Sequence, residues 1–560
     1  MTDSSDAARA GEPSKRNFFT RFLDGVEWLG NLLPHPVTLF AILAGLMILA
    51  SGLFGGIMEL SVADPRPEGA SGRAEDGMIR AVSLMNEDGF RRIFTSLTDN
   101  FTSFAPLGVV LVAMLGVGVA EKSGLLSAAV RSIVLGANKH TVTVAVVFAG
   151  VLSNTASEMG YVVLVPLAGA VFYALGRHPL AGMAAAFAGT SGGYSANLLI
   201  GTIDPLLAGI TTEAAQLIDP GYVVAAPANW FFMVISTALI TTVGSLVTIF
   251  IVEPKLGPYD SSRADPSVFD KNMMQPVSGE EKRGLMWAGL ASLALFGAMA
   301  WTLMPQGGFS EWLPGWGALR NPVTGSIFQQ APFFTGFVTW IFLFFLIVGF
   351  AYGRAAGTMR NDRDVIDGMA SAISTLGLYI VLVFFAAQFV AFFGWSNLGA
   401  ITAVTGAQFL TDTGLTGPAI FIGFILMCCF VNLMLGSASA QWAVTAPIFV
   451  PMLMLVGYSP EVIQAAYRIG DSSTNIITPM MSYFGLILAW MTRYDKKLGI
   501  GTVIAMMLPY SIFFLVTWIA LFFLWTFGLG LPVGPGSPTY FDINAVQAGI
   551  EAVQTPQTGG

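Results

Sequence analysis

Charge is what this 560-residue chain has least of: Asp, Glu, Lys and Arg make up 11% of it, where soluble domains carry about a quarter. That deficit excludes a water-soluble globular protein. The chain is instead 54% apolar with a mean hydropathy of +0.69, as a polytopic membrane protein requires. Cysteine is limited to Cys428 and Cys429, adjacent in an apolar run, which excludes a disulfide scaffold and reads as a pair of small buried hydrophobes. The three histidines, His35, His140 and His178, lie far apart, so no metal site is expected. A net charge of −8 without any basic cluster leaves nothing to neutralise phosphates and excludes nucleic acid as a partner.

What the chain does have is long apolar runs. A spanning helix needs about 20 such residues. Windows near 37–57, 104–120, 222–252, 284–304, 333–352, 368–393 and 499–528 meet that length. Regions 140–212 and 416–492 are as apolar but are punctuated by Gly, Ser, Asn, Thr and Pro, so neither reads as two plain helices.

Lysine and arginine set the orientation, because cytoplasmic loops collect them. Nineteen of the 26 fall on one side: Arg9, Lys15, Arg16 and Arg21; Lys122, Arg131, Lys139 and Arg177; Lys255, Arg263, Lys271, Lys282 and Arg283; Arg354, Arg360 and Arg363; Arg493, Lys496 and Lys497. Arg66, Arg73, Arg80, Arg91, Arg92 and Arg320 fall on the other. Only Arg468 stands inside an apolar region. Threading the chain through this pattern makes each punctuated region contain a re-entrant hairpin, 140–178 from the inside and 416–460 from the outside. A pair of ordinary spans preserves the same parity, so charge alone does not separate the two arrangements. Nine crossings put the N-terminus in the cytoplasm and the C-terminus outside. The expected fold is therefore an all-α polytopic membrane protein of nine transmembrane helices plus two re-entrant hairpins. Residues 1–17 read as a disordered cytoplasmic segment, 18–532 as the transmembrane domain and 533–560 as an extracytoplasmic tail. Residues 60–103 read as a polar, acidic loop ending in an amphipathic stretch, Phe90, Ile93, Phe94, Leu97 and Phe101, suited to the interface.

The punctuated regions repeat each other. An offset of 281 pairs Pro166 with Pro447, Gly176 with Gly457, Pro179 with Pro460, Gly189 with Gly470 and Ser191 with Ser472; after a slip of three, 278 pairs Ser195 with Ser473 and Asn197 with Asn475. Glycine and proline set backbone breaks, so matching positions imply matching folds. The copies, about 104–252 and 366–528, start from opposite sides, which makes the repeat inverted. Such repeats with interrupted helices are a mark of secondary transporters that bind substrate and ions near the midplane.

Polar residues at that depth are the candidate site. The first hairpin turns at Ser153-Asn154-Thr155-Ala156-Ser157-Glu158 and the second at Gly436-Ser437-Ala438-Ser439-Ala440-Gln441-Trp442; free backbone groups at such turns suit carboxylates and cations. Ser153, Asn154, Thr155, Ser439 and Asn475 are candidate substrate contacts, and Trp442, Trp395 and Phe393 candidate stacking partners for an aromatic ring. Glu158 is equally readable as a structural residue. A charge at mid-bilayer costs about 2.5–3.5 kcal/mol, so Arg468 and Asp471, three apart, are expected to pair. That pair reads either as an internal salt bridge or as a coupling carboxylate beside a clamp for a substrate carboxylate. Asp471 leads the candidate ion-coupling residues, with Asp204, Asn197 and Ser473 beside it; Asp204 can equally be placed near the outer mouth.

The stretches Ser153-Asn154-Thr155-Ala156-Ser157-Glu158-Met159-Gly160-Tyr161, Gly192-Gly193-Tyr194-Ser195-Ala196-Asn197, Asp204-Pro205 and Gly470-Asp471-Ser472-Ser473-Thr474-Asn475 resemble the AbgT family of aminobenzoyl-glutamate transporters, and the likeness runs over residues 18–532. The resemblance implies a dimeric, multi-pass protein of the bacterial inner membrane that takes up p-aminobenzoyl-glutamate or exports sulfonamide antimetabolites driven by protons; the expected coupling ion is H+ or Na+, with no other cofactor. It also implies functional roles for Asp204, Ser439, Trp442, Pro460, Arg468, Asp471 and Pro479. A dicarboxylate or short-chain acid carrier of the same architecture is the near alternative. An intramembrane hydrolase built on Asp204 and Asp471 is disfavoured, because it leaves the repeat unexplained and no Ser/His arrangement is present.

Overall fold

The computed structural model describes residues 34–70, 73–155, 160–263, 276–306, 315–327 and 331–544. The N-terminal segment 1–17, Glu158 and residues 545–560 lie outside these. Among the described residues, eight helices are long and apolar enough to cross a membrane: Pro36–Ile57, Glu87–Ser123, Trp230–Leu256, Gly279–Leu303, Phe337–Ala356, Gly377–Trp395, Ala438–Leu455 and Ile500–Gly528. Seven coincide with the windows read from sequence. The eighth, Ala438–Leu455, lies in the second punctuated region.

In chain order the helices are α1 Pro36–Ser51, α2 Glu87–Thr102, α3 Ala105–Ser123, α4 Leu125–Leu135, α5 Val142–Ser153, α6 Val165–Ala174, α7 Pro179–Phe187, α8 Ile203–Ala215, α9 Trp230–Val247, α10 Gly279–Leu303, α11 Phe337–Ala356, α12 Asp362–Thr375, α13 Gly377–Trp395, α14 Leu398–Asp412, α15 Ile420–Leu435, α16 Ala438–Leu455, α17 Pro460–Asn475, α18 Phe484–Tyr494 and α19 Ile500–Phe522. Their ends follow local signals. Ser278 and Glu281 form a capping box on α10, Asn361 and Asp364 another on α12, and Pro179 and Pro460 open α7 and α17, where the missing N–H costs nothing. Between α1 and α2 the polar loop holds a two-stranded antiparallel ribbon, β1 Ser61–Ala63 and β2 Met78–Arg80, with Val62 opposite Ile79. Three-residue strands are too short to show a period in sequence. The amphipathic stretch forms α2, whose Phe90 and Phe94 are exposed and stack on each other.

The repeat is visible in contacts as well as in letters. Gly176 and Gly457, 281 apart, both adopt left-handed backbone, φ 71° and 106°, which glycine takes without a Cβ clash. Around each, the same bonds recur: Arg177 N–H donates to the Phe172 carbonyl and Tyr458 N–H to the Leu453 carbonyl, at 2.8 and 3.0 Å. A Cβ on Gly189 would come within 2.4 Å of the Val147 carbonyl oxygen, and one on Gly470 within 2.7 Å of the Ile425 carbonyl oxygen. Close backbone approach through small residues is how helices bind where water offers no hydrophobic drive. Each copy thus has a helical hairpin, α5 with α6 or α15 with α16, followed by a helix that packs against it and then breaks.

The break comes later in the second copy than in the first. In the first copy α7 passes through a π-turn at Ala188–Gly192 and is broken over 193–202. In the second, α17 runs unbroken through Asp471 to Asn475, and the break begins at Ile476. The reason is local: Gly192-Gly193 weakens the helix, whereas the Asp471 position has a side chain and Thr474 Oγ1 bonds back to the Gly470 carbonyl at 2.8 Å. Only Pro479, which cannot continue a helix, enforces the end. The chain then returns through α18 and α19. Residues 533–541 cross back over the domain, with Ser537 Oγ donating to the Ala228 carbonyl at 2.8 Å and Phe541 N–H to the Gly457 carbonyl at 2.9 Å.

Candidate functional site

The first copy packs against the second around the breaks. Ser195 N–H donates to Ser472 Oγ at 3.1 Å, joining the first break to α17, and Tyr161 of the first hairpin stacks on Tyr483 beyond the second break, with centroids 4.7 Å apart. Each hairpin also grips the segment that follows it with an amide. Asn154 Nδ2 donates to the Gly193 carbonyl at 3.3 Å, and Asn432 Nδ2 to the Asp471 carbonyl at 2.8 Å; both partners are 278 apart in sequence. Thr155 Oγ1 donates to Asn197 Oδ1 at 2.9 Å, while Asn432 Nδ2 also reaches Asn475 Oδ1 at 2.8 Å. Asn154 and Thr155 are therefore bonded to the first break, where Asn197 lies, and Asn475 to the second hairpin. Asn432 was absent from the sequence expectations, although the 278 offset from Asn154 pointed to it. Ser153 Oγ instead bonds back to the Gly150 carbonyl at 2.6 Å. Ser473 Oγ does the same to Gly470, at 3.4 Å.

The buried charges arrange themselves differently from the expected Arg468–Asp471 pair. Arg468 reaches across to α8 and pairs with Asp204, Nη2 to Oδ1 at 2.7 Å, with both side chains no more than 2% exposed. Side chains three apart on one helix project in nearly the same direction, and the long Arg468 side chain instead crosses to the facing helix. Asp204 is thus not at an outer mouth; it lies in the interior, its Oδ2 accepting the Gly201 N–H at 2.7 Å. Asp471 is 1% exposed, accepts a long 3.4 Å contact from Asn475 Nδ2, and its Oδ1 has no hydrogen-bond partner among the described residues. Two charges taken out of water stabilise only if their geometry is good, and removing one partner costs several kcal/mol.

Around the pair is a polar network of which sequence reading found only parts. Arg468 Nε donates to Asn229 Oδ1 at 3.0 Å, and Gln464 Nε2 donates to the same oxygen at 2.8 Å. Thr211 Oγ1 donates to Gln464 Oε1, and Trp442 Nε1 donates to Thr211 Oγ1 at 2.9 Å. Gln464 had a signal, since it stands one helical turn before Arg468 on the same face. Asn229 had none, because it closes a loop that the hydropathy window absorbed into a plain span. Trp442 does not offer a face to a ligand: it is wholly buried, and its ring stacks on Tyr467 with centroids 4.3 Å apart. Trp395 lies under the Arg92 guanidinium and Phe393 against Phe389. Pro460 is buried at the start of α17 and Pro479 half-buried in the break, both shaping backbone.

A cavity of about 280 Å³ opens at this joint, lined by Asn154 and Ser439 from the two hairpin turns, Thr202 from the first break, and Tyr161, Tyr194 and Tyr379. The tyrosines, rather than the expected tryptophans, give it aromatic faces with polar tips. Both hairpins therefore share one cavity, and Ile203 and Leu206 in its wall flank Asp204 on α8.

Known proteins match this chain along most of its length. Residues 21–541 match the AbgT transporter family. The p-aminobenzoyl-glutamate transport protein of Escherichia coli (strain K12) is 36% identical over 513 residues, 91% of this chain and 95% of that protein. Among solved structures, MtrF of Neisseria gonorrhoeae, described with a class of antimetabolite efflux pumps, is 59% identical with a TM-score of 0.85, covering 92% of this chain and all of that one. YdaH of Alcanivorax borkumensis, a transporter, is 45% identical with a TM-score of 0.80 over 90% of this chain and all of that one. These relatives are transport proteins and not enzymes, and this chain is a multi-pass membrane transporter belonging to the AbgT family.

Proposed function

We propose that this protein is an ion-coupled secondary transporter, driven by H+ or Na+, of aromatic carboxylates of the p-aminobenzoyl-glutamate kind, with sulfonamide antimetabolites as further cargo for export. The observation that carries this reading is one cavity shared by both hairpin turns, beside a buried Asp204–Arg468 pair. Arg468 is the residue that takes a substrate carboxylate, exchanging its Asp204 partner for a bidentate ligand, while the tyrosines hold the ring. Asp471, buried with one oxygen unpaired, binds the coupling ion with Asn197, Ser473 and Asp204 in support. Release of Asp204 by substrate gives a reason for loading and binding to depend on each other.

The topology we propose is nine spanning helices with two re-entrant hairpins in an inverted repeat, in a homodimer of the bacterial inner membrane, N-terminus cytoplasmic and C-terminus periplasmic. Helix length supports the first hairpin: α5 has 12 residues, roughly 18 Å at 1.5 Å per residue, against a hydrocarbon core of about 30 Å. Uptake of labelled p-aminobenzoyl-glutamate into proteoliposomes, competed with unlabelled p-aminobenzoyl-glutamate or succinate, tests the substrate. Competition by the aromatic compound alone is expected; stronger competition by succinate would make the protein a dicarboxylate carrier.

A further inference from the structure

A second, larger cavity stands in series with the first. It has a volume of about 580 Å³ and shares two walls with it: Ala105 and Val109 of α3 lead on to Val110 and Met114, and Pro205, Ala208 and Thr212 of α8 lead back to Ile203 and Leu206. At its floor is Glu461, on the first turn of α17 and 5% exposed. The site described above makes no use of this carboxylate. It is the one charged group among the described residues that line the cavity, with no Lys, Arg or His beside it.

The hydrogen-bond inventory of this second chamber is lopsided. Tyr222 OH approaches both Glu461 oxygens, at 2.9 and 3.1 Å, and Ser459 also bonds to this carboxylate, whose two oxygens carry about four lone pairs and can accept further donors. The hydroxyls of the lining have spent their protons on the backbone: Thr212 Oγ1 donates to the Ala208 carbonyl at 2.9 Å, Ser537 Oγ to the Ala228 carbonyl at 2.8 Å and Thr335 Oγ1 to the Pro332 carbonyl at 3.3 Å. Among the described side chains that line it, the chamber therefore presents a carboxylate and no cation, which suits an amine rather than a substrate carboxylate. Glu461 is also tied to the first site, since Asn229 Nδ2 donates to its carbonyl at 2.8 Å while Asn229 Oδ1 takes Arg468 Nε. The two charges stand seven residues apart on α17, roughly 10 Å along the axis, the scale of a substrate with a carboxylate at one end and an aryl amine at the other.

We propose that this chamber is a recognition subsite for the amine end of the substrate, with Glu461 as its specificity-determining acceptor. This rests on the transport reading given above. The test compares uptake of p-aminobenzoyl-glutamate with that of benzoyl-glutamate, which lacks only the amine, in proteoliposomes of the parent protein and of Glu461→Gln and Tyr222→Phe. A charge-assisted bond sets the expected preference of the parent at about tenfold in KM for the amine compound. Glu461→Gln should narrow it to within twofold by raising KM for the amine compound alone; Tyr222→Phe, which keeps the carboxylate, should retain it. Equal loss for both compounds, or an unchanged preference, in Glu461→Gln overturns the subsite, as does a preference lost in Tyr222→Phe but kept in Glu461→Gln. A parent that takes up neither compound refutes the transport reading instead. Should Glu461→Gln fail to fold, thiol labelling of Val223→Cys, exposed in the chamber wall, gives the same answer: protection by the amine compound alone supports the subsite, and protection by both or neither overturns it.

Discussion

The two copies of the repeat share a frame and differ in what they place on it. Asn154 holds the Gly193 carbonyl and Asn432 holds the Asp471 carbonyl, so Gly193 and Asp471 occupy equivalent positions. One has no side chain, and the other a buried carboxylate with an unpartnered oxygen. The first copy carries its acid, Asp204, beyond the break on α8, and the second carries Arg468 and Asp471 before it on α17. A symmetric scaffold thus supplies geometry, and the asymmetry of three charged side chains supplies chemistry. The ion pair between copies, Arg468 with Asp204, ties the halves together beside the hydrogen bonds that Ser195, Thr211 and Asn229 make to the second copy.

The largest effect should follow from breaking that tie. Arg468→Ala leaves Asp204 buried without its cation, an arrangement that costs about 3–5 kcal/mol; uptake should fall to background and the melting temperature should drop, while Arg468→Ala with Asp204→Asn should recover stability but not uptake. Loss of the amide clamps comes next. Asn432→Ala removes the amide whose two protons are shared among Asp471, Thr474 and Asn475, and should reduce turnover at least tenfold. Asn154→Ala removes two longer bonds, to Gly150 and Gly193, and should cost less, so a larger loss in Asn154→Ala would reverse the ranking of the two copies. Trp442→Phe keeps the stack on Tyr467 but deletes the bond to Thr211; turnover should fall a few-fold with KM nearly unchanged, and a large rise in KM would return Trp442 to the substrate site.

The smallest effect lies outside the repeat. Asp64, beside β1, is partly buried, which raises its carboxyl, but hydrogen bonds and charge from Arg66 outweigh this and hold it below its ordinary 3.8. A carboxyl lowered on folding stabilises the fold above its ordinary value, and that contribution is lost as pH falls through the lowered one. Asp64→Asn should therefore melt earlier than the parent at pH 7, with the gap closing below pH 3.8 and uptake untouched.

Much of this was legible in the sequence, for physical reasons. Apolar runs report spans because lipid tolerates little else, and glycine and proline report breaks because they restrict backbone, so the seven windows and the matched hairpins are visible in letters. A polar residue inside an apolar stretch locates the site, and Arg468 did so. What it pairs with is a tertiary fact: the long side chain chose Asp204 across the interface over Asp471 on its own helix. Asn229 and Thr211 became part of the network only because folding brings α8, the loop before α9 and α17 together, and no local pattern marks them. Trp442 is the opposite case: an aromatic residue near a turn reads as a ligand platform in sequence, while only the fold shows its ring stacked on Tyr467.

The most direct measurement compares gradient-driven uptake with counterflow exchange in proteoliposomes containing Asp471→Asn, whose size and fold are checked against the parent. If Asp471 is the coupling carboxylate, uptake driven by an imposed H+ or Na+ gradient is lost while exchange of labelled for unlabelled substrate across equal pools persists. Full gradient-driven uptake by Asp471→Asn would contradict that role and leave the equivalence of Gly193 and Asp471 without functional meaning.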